Sequence, residues 1–356
     1  SGTKETGEFY TPKSAVKLIA ELIEPYSGVV YDPCCGSGGM FVQSMKFVES
    51  HNGQKKNISI LGQESNPATW QLARMNLASR GISCNLGTEA VSTFEKDEHA
   101  HKKVNYVMAN PPFNLKDWQT ATQTGETPDA RFTDFGMPTN SNANYAWILH
   151  ILSHLKALDG VAGFLLANGA LGDSDTAAIR EKLIRNDKVE AIIILPRELF
   201  ITTDISVTLW ILNQNKKGGD YHGRKLRSRE HEILFMDLRT WTENPVKGEN
   251  KKKVRLSTEQ IERAASIYHT WQSEGTDGSK YEVPELYRSV SMAEIKKNGW
   301  SLIPSKYIEF IDRDLEIDFS AEMKRIQQEM RDVLAQEKQS QKMLEDAFRG
   351  IGYGID

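Results

Sequence analysis

The chain has 356 residues, 39% hydrophobic and 26% charged, with a formal net charge of -4 and three cysteines. That length suits one large α/β domain with an appendage, while the composition argues against a membrane span, a disulfide framework and a chain that holds nucleic acid by bulk positive charge. Any nucleic-acid contact is expected from local patches or a partner chain, and a cytoplasmic setting fits the cysteine usage.

Ser1-Gly2 carries no signal-peptide pattern and reads as the remnant of a cleaved tag, so the natural chain is expected to begin earlier. Gly7-Glu8-Phe9-Tyr10-Thr11-Pro12-Lys13 then leads into a helix patterned by Val16, Leu18, Ile19 and Leu22. Thr11 suits an N-cap and Pro12 a first helical residue. Phe9 and Tyr10 fit either a hydrophobic staple or the mouth of a nucleotide site.

The spacing predicts strands at Gly28 to Tyr31, Ile58 to Gln63, Val104 to Ala109, Gly160 to Leu166, Glu190 to Leu195, Thr208 to Asn213 and Glu232 to Asp237, alternating with helical patterns. That order reads as a mostly parallel seven-stranded sheet of the Rossmann-like α/β class. The last two strands are expected to pair as a terminal antiparallel hairpin. Lys216, Lys217, Arg224, Lys225, Arg227 and Arg229 between them read as a solvated loop or a phosphate contact. Expected domains are 1–245 for the α/β unit, 246–314 for a helical and loop appendage, and 315–356 for a C-terminal amphipathic helix. Phe319, Met323, Ile326, Met330 and Val333 mark that helix at three- and four-residue spacing, and Leu344 and Phe348 resume it. Its stripe suits its own domain or a subunit seam equally.

The first strand runs into Asp32-Pro33-Cys34-Cys35-Gly36-Ser37-Gly38-Gly39, at the turn where nucleotides bind in doubly wound sheets. The pattern is Gly-x-Gly-Gly, not the dinucleotide Gly-x-Gly-x-x-Gly. Asp32 is poorly placed for a pyrophosphate but suits a ligand with a cationic end, such as S-adenosylmethionine. At the tip of the second strand, Glu64 is placed to accept ribose hydroxyls.

The third strand ends in Asn110-Pro111-Pro112-Phe113. An exocyclic amine on a base has its lone pair delocalised into the ring, and two fixed acceptors, the Asn110 side-chain oxygen and the Pro111 carbonyl, can take its two hydrogens. Pro111 and Pro112 hold that turn rigid, and Phe113 offers a face on which an extruded base can stack. Residues 114–142 are too long and polar for a plain connector, and either order over a target, with Arg131, or are disordered. His150 and His154 lie one turn apart with no carboxylate evident beside them. They read as surface or packing residues, and no metal is expected.

With these motifs in order, "GEFYTPK", "DPCCGSGGMFV", "GQESNPATWQLARMNL", "NPPF", "NANYAWILHIL" and "ILPRELF", the chain resembles the methylation subunit of type I restriction-modification systems. The resemblance implies an N6-adenine DNA methyltransferase of the gamma arrangement, using S-adenosylmethionine. It also implies cofactor contact by Glu8, Phe9, Tyr10, Thr11, Asp32, Gly36, Ser37, Gly38, Gly39 and Glu64, and base contact by Asn110, Pro111, Pro112 and Phe113. Implied partners are DNA, one specificity subunit for two methylation subunits, and a restriction subunit. Two departures stand out: Gly87-Thr88-Glu89 occupies a position where the family often has Asp, and the helical domain that the family carries before "FYTP" is not among these 356 residues, as expected if the natural chain begins earlier. Cys34 follows a proline as in cytosine-C5 enzymes, but it sits in the cofactor loop, so C5 chemistry is set aside. A cofactor-binding but silent subunit, or methyl transfer to RNA or a protein amide, are the competing readings.

Overall fold

The computed structural model describes residues 11–51, 53–197, 199–200, 206–241, 254–311 and 319–350. The first half of the chain gives α1 (Lys13–Ile23), β1 (Gly28–Asp32), α2 (Gly39–Ser50), β2 (Ile58–Gly62), α3 (Pro67–Ala78), β3 (Cys84–Asn85), β4 (Tyr106–Ala109), α4 (Ala121–Thr124), α5 (Asn144–His154) and β5 (Val161–Ala167). The second gives α6 (Ala177–Arg185), β6 (Val189–Ile194), β7 (Val207–Asn213), β8 (Gly219–Tyr221), β9 (Arg224–Leu226), β10 (Glu232–Asp237), α7 (Thr258–Gln272), β11 (Glu282–Val283), β12 (Tyr287–Ser291), α8 (Met292–Lys297) and α9 (Phe319–Gly350).

Ten strands form one sheet in the order β11-β12-β10-β6-β7-β5-β4-β1-β2-β3, with β8 and β9 as a separate hairpin. Pairing is parallel from β5 through β4, β1 and β2 to β3, and again between β6 and β10. The sheet is mixed but mostly parallel, as expected, and larger than the seven strands read from the sequence. The expected terminal hairpin is not there. β7 inserts antiparallel between β5 and β6, and β10 lies beyond β6. The reason is burial on both faces: Val207, Leu209 and Ile211 join one apolar layer while Trp210 and Leu212 join the other. A strand apolar on both sides is stable only inside a sheet.

Helices cover both faces. Leu18 and Ile19 of α1, Phe41 and Met45 of α2, and Trp271 of α7 fill one layer. Trp147 and Ile151 of α5, Leu183 of α6 and Ile295 of α8 fill the other. Residues 254–309, expected as an appendage, belong to this same unit, because β12 pairs antiparallel with β10 and α7 packs against α1. The start of α7 is fixed by a reciprocal cap: Ser257 Oγ accepts the Gln260 N–H at 3.1 Å and Gln260 Oε1 accepts the Ser257 N–H at 2.8 Å. Ser257→Ala is expected to cost about 1 kcal/mol of stability in urea denaturation.

The basic segment before β10 is neither a solvated loop nor a phosphate contact along most of its length. Arg229 is fully buried and donates to Glu190 Oε1 at 2.7 Å, and Lys216 Nζ lies 3.1 Å from Asp187 Oδ1 and donates to the Val189 carbonyl. Arg227 pairs with Glu232 at 2.8 Å and Arg224 with Glu24. Lys217 and Lys225 remain exposed.

Residues from 310 form a second unit, which contains α9, a helix of 32 residues. At 1.5 Å per residue it is about 48 Å long. Met323, Ile326, Met330, Val333, Leu344 and Phe348 are exposed along it. Among the described residues, no helix is long and apolar enough to cross a membrane.

Candidate active site

β1 lies between β2 and β4, so the tips of these three parallel strands stand side by side. Each brings one candidate motif. Asp32 ends β1, Glu64 follows β2, and Asn110 follows β4. Glu8, Phe9 and Tyr10 lie outside the described residues.

The turn after β1 is tied to the turn after β2 by the Cys35 N–H donating to the Gln63 carbonyl at 2.8 Å. Gly36 and Gly38 adopt φ values of 52° and 84°, the left-handed region that glycine enters without strain. A Cβ on Gly36 or Gly39 would meet nothing within 4 Å, so open space lies beside this loop. Asn76 of α3 donates to the Ser37 carbonyl at 2.7 Å and holds the loop from behind. Glu64 closes it: Oε2 accepts the Gly36 N–H at 3.0 Å and Oε1 the Asn66 N–H at 2.8 Å.

Asp32 is buried and its Oδ1 accepts the Cys34 N–H at 3.0 Å. Burial pushes its carboxyl pKa up to about 7, with a smaller push from Glu64 and partial relief from the Cys34 hydrogen bonds. No cation of the described residues pairs with it. A buried acid of this kind beside open space fits the amino group of a cationic ligand.

At the tip of β4, Pro111 is buried, Pro112 exposed and Phe113 half-buried. The Phe113 ring packs edge-on to Phe200 at 5.9 Å. Asn110 Nδ2 donates to Thr11 Oγ1 at 2.9 Å. Its other end is different: Asn110 Oδ1 is buried and has no hydrogen-bond partner among the described residues. A buried acceptor left unmade costs roughly 1 to 3 kcal/mol, so a group that donates to it in the working state is expected. Thr11 does not cap α1 as the sequence suggested. Pro12 holds the cap position without a side-chain bond, because the Thr11 hydroxyl turns to Asn110 instead.

Several supporting residues were missed from sequence. Asn114 and Asn144 bond reciprocally, with the Asn114 N–H on Asn144 Oδ1 at 3.1 Å and Asn144 Nδ2 on Asn114 Oδ1 at 2.9 Å. This clamp fixes the chain just after Phe113, and Asn144 stood in plain view within "NANYAW". Gln63 is wholly buried, donating to the Val91 and Lys96 carbonyls at 3.1 and 2.7 Å. It threads residues 91–96 across the strand tips. Glu89 pairs with Lys96 at 2.6 Å on the surface.

Residues 114–142 are ordered but do not place Arg131 over a target. Trp118 and Phe132 are core residues, and Arg131 pairs with Asp129 at 2.6 Å and donates to the Thr93 carbonyl at 2.8 Å. Arg131 also reaches His150 Nδ1 at 3.2 Å, and His150 Nε2 meets the Tyr31 hydroxyl at 3.0 Å. His150 and His154 are both buried, not surface residues, and a carboxylate is beside them: Asp97 Oδ2 lies 2.9 Å from His154 Nε2. Burial alone would raise the Asp97 carboxyl, but His154 and His150 outweigh it and hold it far below the usual range. Ligand atoms of Asp97, His150 and His154 lie within 4.8 Å of one another. The Arg131 guanidinium on His150 opposes a metal ion there, and both His154 nitrogens are engaged, Nδ1 with the Lys102 carbonyl at 3.0 Å. The cluster is a hydrogen-bonded brace between β1, α5 and the long connection.

A family model described as N-6 DNA Methylase matches residues 1–314. The HindI type I restriction enzyme methylase subunit of Haemophilus influenzae is 36% identical over 98% of this chain and 74% of its own length. The MjaIX type I methylase subunit of Methanocaldococcus jannaschii is 31% identical over 98% of this chain, which spans only 60% of that relative. A type I methyltransferase subunit of Streptococcus thermophilus has the same fold, with a TM-score of 0.70 at 24% identity over 85% of this chain and 60% of its own. With the strand order, the glycine loop and the Asn-Pro-Pro-Phe turn all carried on the matched residues, the chain belongs to the N-6 DNA methylase family.

Proposed function

We propose that the chain transfers a methyl group from S-adenosylmethionine to N6 of adenine in DNA, as the modification subunit of a type I restriction-modification complex. The observation that carries this reading is the buried Asn110 Oδ1 at the tip of β4, without a partner among the described residues and beside the Asp32 and Glu64 loops. S-adenosylmethionine supplies an electrophilic methyl group. The Asp32 carboxylate binds its amino group, Glu64 takes the ribose hydroxyls, and Gly36 and Gly39 leave room for the ligand.

Asn110 Oδ1 accepts one N6 hydrogen and the Pro111 carbonyl the other, which localises the amine's lone pair toward the methyl donor. Phe113 stacks on the extruded base, with Phe200 backing its ring. Orientation of this kind supplies much of the rate in a displacement. As the N6–C bond would form, the methyl's C–S bond would break and the sulfur would leave as a neutral thioether; the positive charge would pass to N6, whose proton is then acidic enough to go to water without a strong base. Labelled methyl transfer to adenine in DNA, assayed on the full-length subunit with a specificity subunit, tests the reading. Cofactor binding without any transfer in that complex would instead mark a silent subunit, and transfer to RNA or protein alone would redirect the substrate class.

Partner contact is proposed through α9. Its exposed apolar residues recur on one stripe of an otherwise charged and polar helix, as a helix seam requires. A specificity subunit is the partner that the family resemblance favours.

Cofactor affinity is expected to depend on pH through Asp32. Its carboxyl titrates near 7 in the free protein, and only the ionised form attracts the ligand's ammonium. Affinity is therefore highest between about pH 7 and pH 8, where the ligand's amino group, which loses its proton near about 8, is still largely charged, and it falls several-fold as pH drops to about 6. Calorimetric titration across that range checks the slope. Asp32→Asn should bind weakly with that slope gone.

A further inference from the structure

Thr11 sits at the entry to α1 in sequence, yet its hydroxyl serves β4. Asn110 has two polar ends, and the hydroxyl of Thr11 engages Nδ2 at 2.9 Å while Oδ1 is left buried and without a partner among the described residues. A bond to Thr11 holds the amide in one plane, and because the hydroxyl can accept from Nδ2 or donate to Oδ1, the target amine, which only donates, selects the orientation that faces it with Oδ1. We infer that Thr11 is a positioning residue for methyl transfer, holding the Asn110 amide so that its oxygen faces the target amine. This rests on the function proposed above and assigns Thr11 a role apart from cofactor contact.

The chemistry is consistent with the local structure. A threonine before a proline at a helix start would ordinarily cap the helix, and capping typically contributes about 1 kcal/mol. Here α1 has no side-chain cap, although Thr11 is adjacent to the cap residue Pro12. The hydroxyl is committed to Asn110 rather than to the helix. When the target amine donates to Oδ1, the amide must present Nδ2 to Thr11, so the hydroxyl accepts; the flipped amide would set two donors against each other at the amine. Removing the hydroxyl leaves Nδ2 without its partner and frees the amide to turn.

The test uses the full-length subunit assembled with a specificity subunit, with DNA from a methylation-deficient strain as acceptor. Single-turnover methyl transfer is compared for wild type, Thr11→Val, Thr11→Ser, Asn110→Ala and the double variant Thr11→Val/Asn110→Ala, and S-adenosylmethionine affinity is measured by calorimetry. Thr11→Val is expected to slow transfer at least tenfold with cofactor and DNA affinity held within about threefold, and Thr11→Ser to restore the rate. In the Asn110→Ala background the valine should have no further effect, since a residue acting through Asn110 has nothing left to orient. An unchanged rate in Thr11→Val, a loss that adds in full to that of Asn110→Ala, or a loss confined to cofactor affinity would each overturn the assignment. Absence of adenine methylation in the wild-type complex would instead bring down the proposed function itself.

Discussion

Replacing Asn110 with alanine is expected to lower methyl transfer by roughly 10²- to 10³-fold while cofactor affinity changes little, the scale seen when one preorganised polar group is removed from a reacting centre. The asymmetry follows from geometry. Asn110 follows β4 and bonds to Thr11, whereas the loop groups of β1 and β2 bond to one another through Glu64 and Gly36. Truncating Asn110 thus removes the acceptor aimed at the amine and leaves the glycine loop intact. Glu64→Ala should do the reverse at the binding stage, because its carboxylate holds the Gly36 N–H and is the group proposed to take the ribose hydroxyls. Calorimetry with S-adenosylmethionine beside single-turnover transfer separates the two, and a large loss of cofactor affinity in Asn110→Ala would contradict the assignment of its role.

The largest expected effect on stability lies elsewhere. Glu190, at the start of β6, is fully buried with Arg229, and it also accepts from the Tyr268 hydroxyl and from Gln272 Nε2, each at 3.1 Å. Burial would raise its carboxyl, but Arg229 and the other donors outweigh it and hold it below the ordinary carboxylate range. Glu190→Ala strands the Arg229 guanidinium in the interior and is expected to cost about 3 to 5 kcal/mol. Loss of Glu181, which pairs with Arg185 on the surface at 2.7 Å, should cost no more than about 1 kcal/mol. Urea denaturation of the two variants gives the comparison, and equal midpoints would refute it. The same pairing explains why Lys216 and Arg229 lie inside: their carboxylate partners, Asp187 and Glu190, stand just before β6 and within it.

The features legible in the sequence were those that a local pattern encodes. Asp32 to Gly39, Glu64 and Asn110 to Phe113 each mark a strand end by turn chemistry that no strand interior tolerates, and the fold brings those ends together because β2, β1 and β4 are neighbours. What failed depended on distant pairing. The apolar run from Val207 to Leu212 looks the same whether it pairs with β10 or slips between β5 and β6, and only the burial of both faces decides. β3 is only two residues long, below any periodic signal. Arg229 reads as solvent-facing until Glu190, 39 residues upstream, is seen against it. The role of Thr11 was hidden by a rival explanation, since Thr-Pro before a helix already looks complete.

The two outermost strands of the ten-stranded sheet, β3 and β11, are each only two residues long. A strand edge is adhesive in proportion to the row of free amide and carbonyl groups that it offers, and a long flat edge invites another chain to add itself and propagate. Two-residue rims give such an invader almost nothing to register against. Short rims of this kind lower the tendency of a wide sheet to grow into fibrils from its sides.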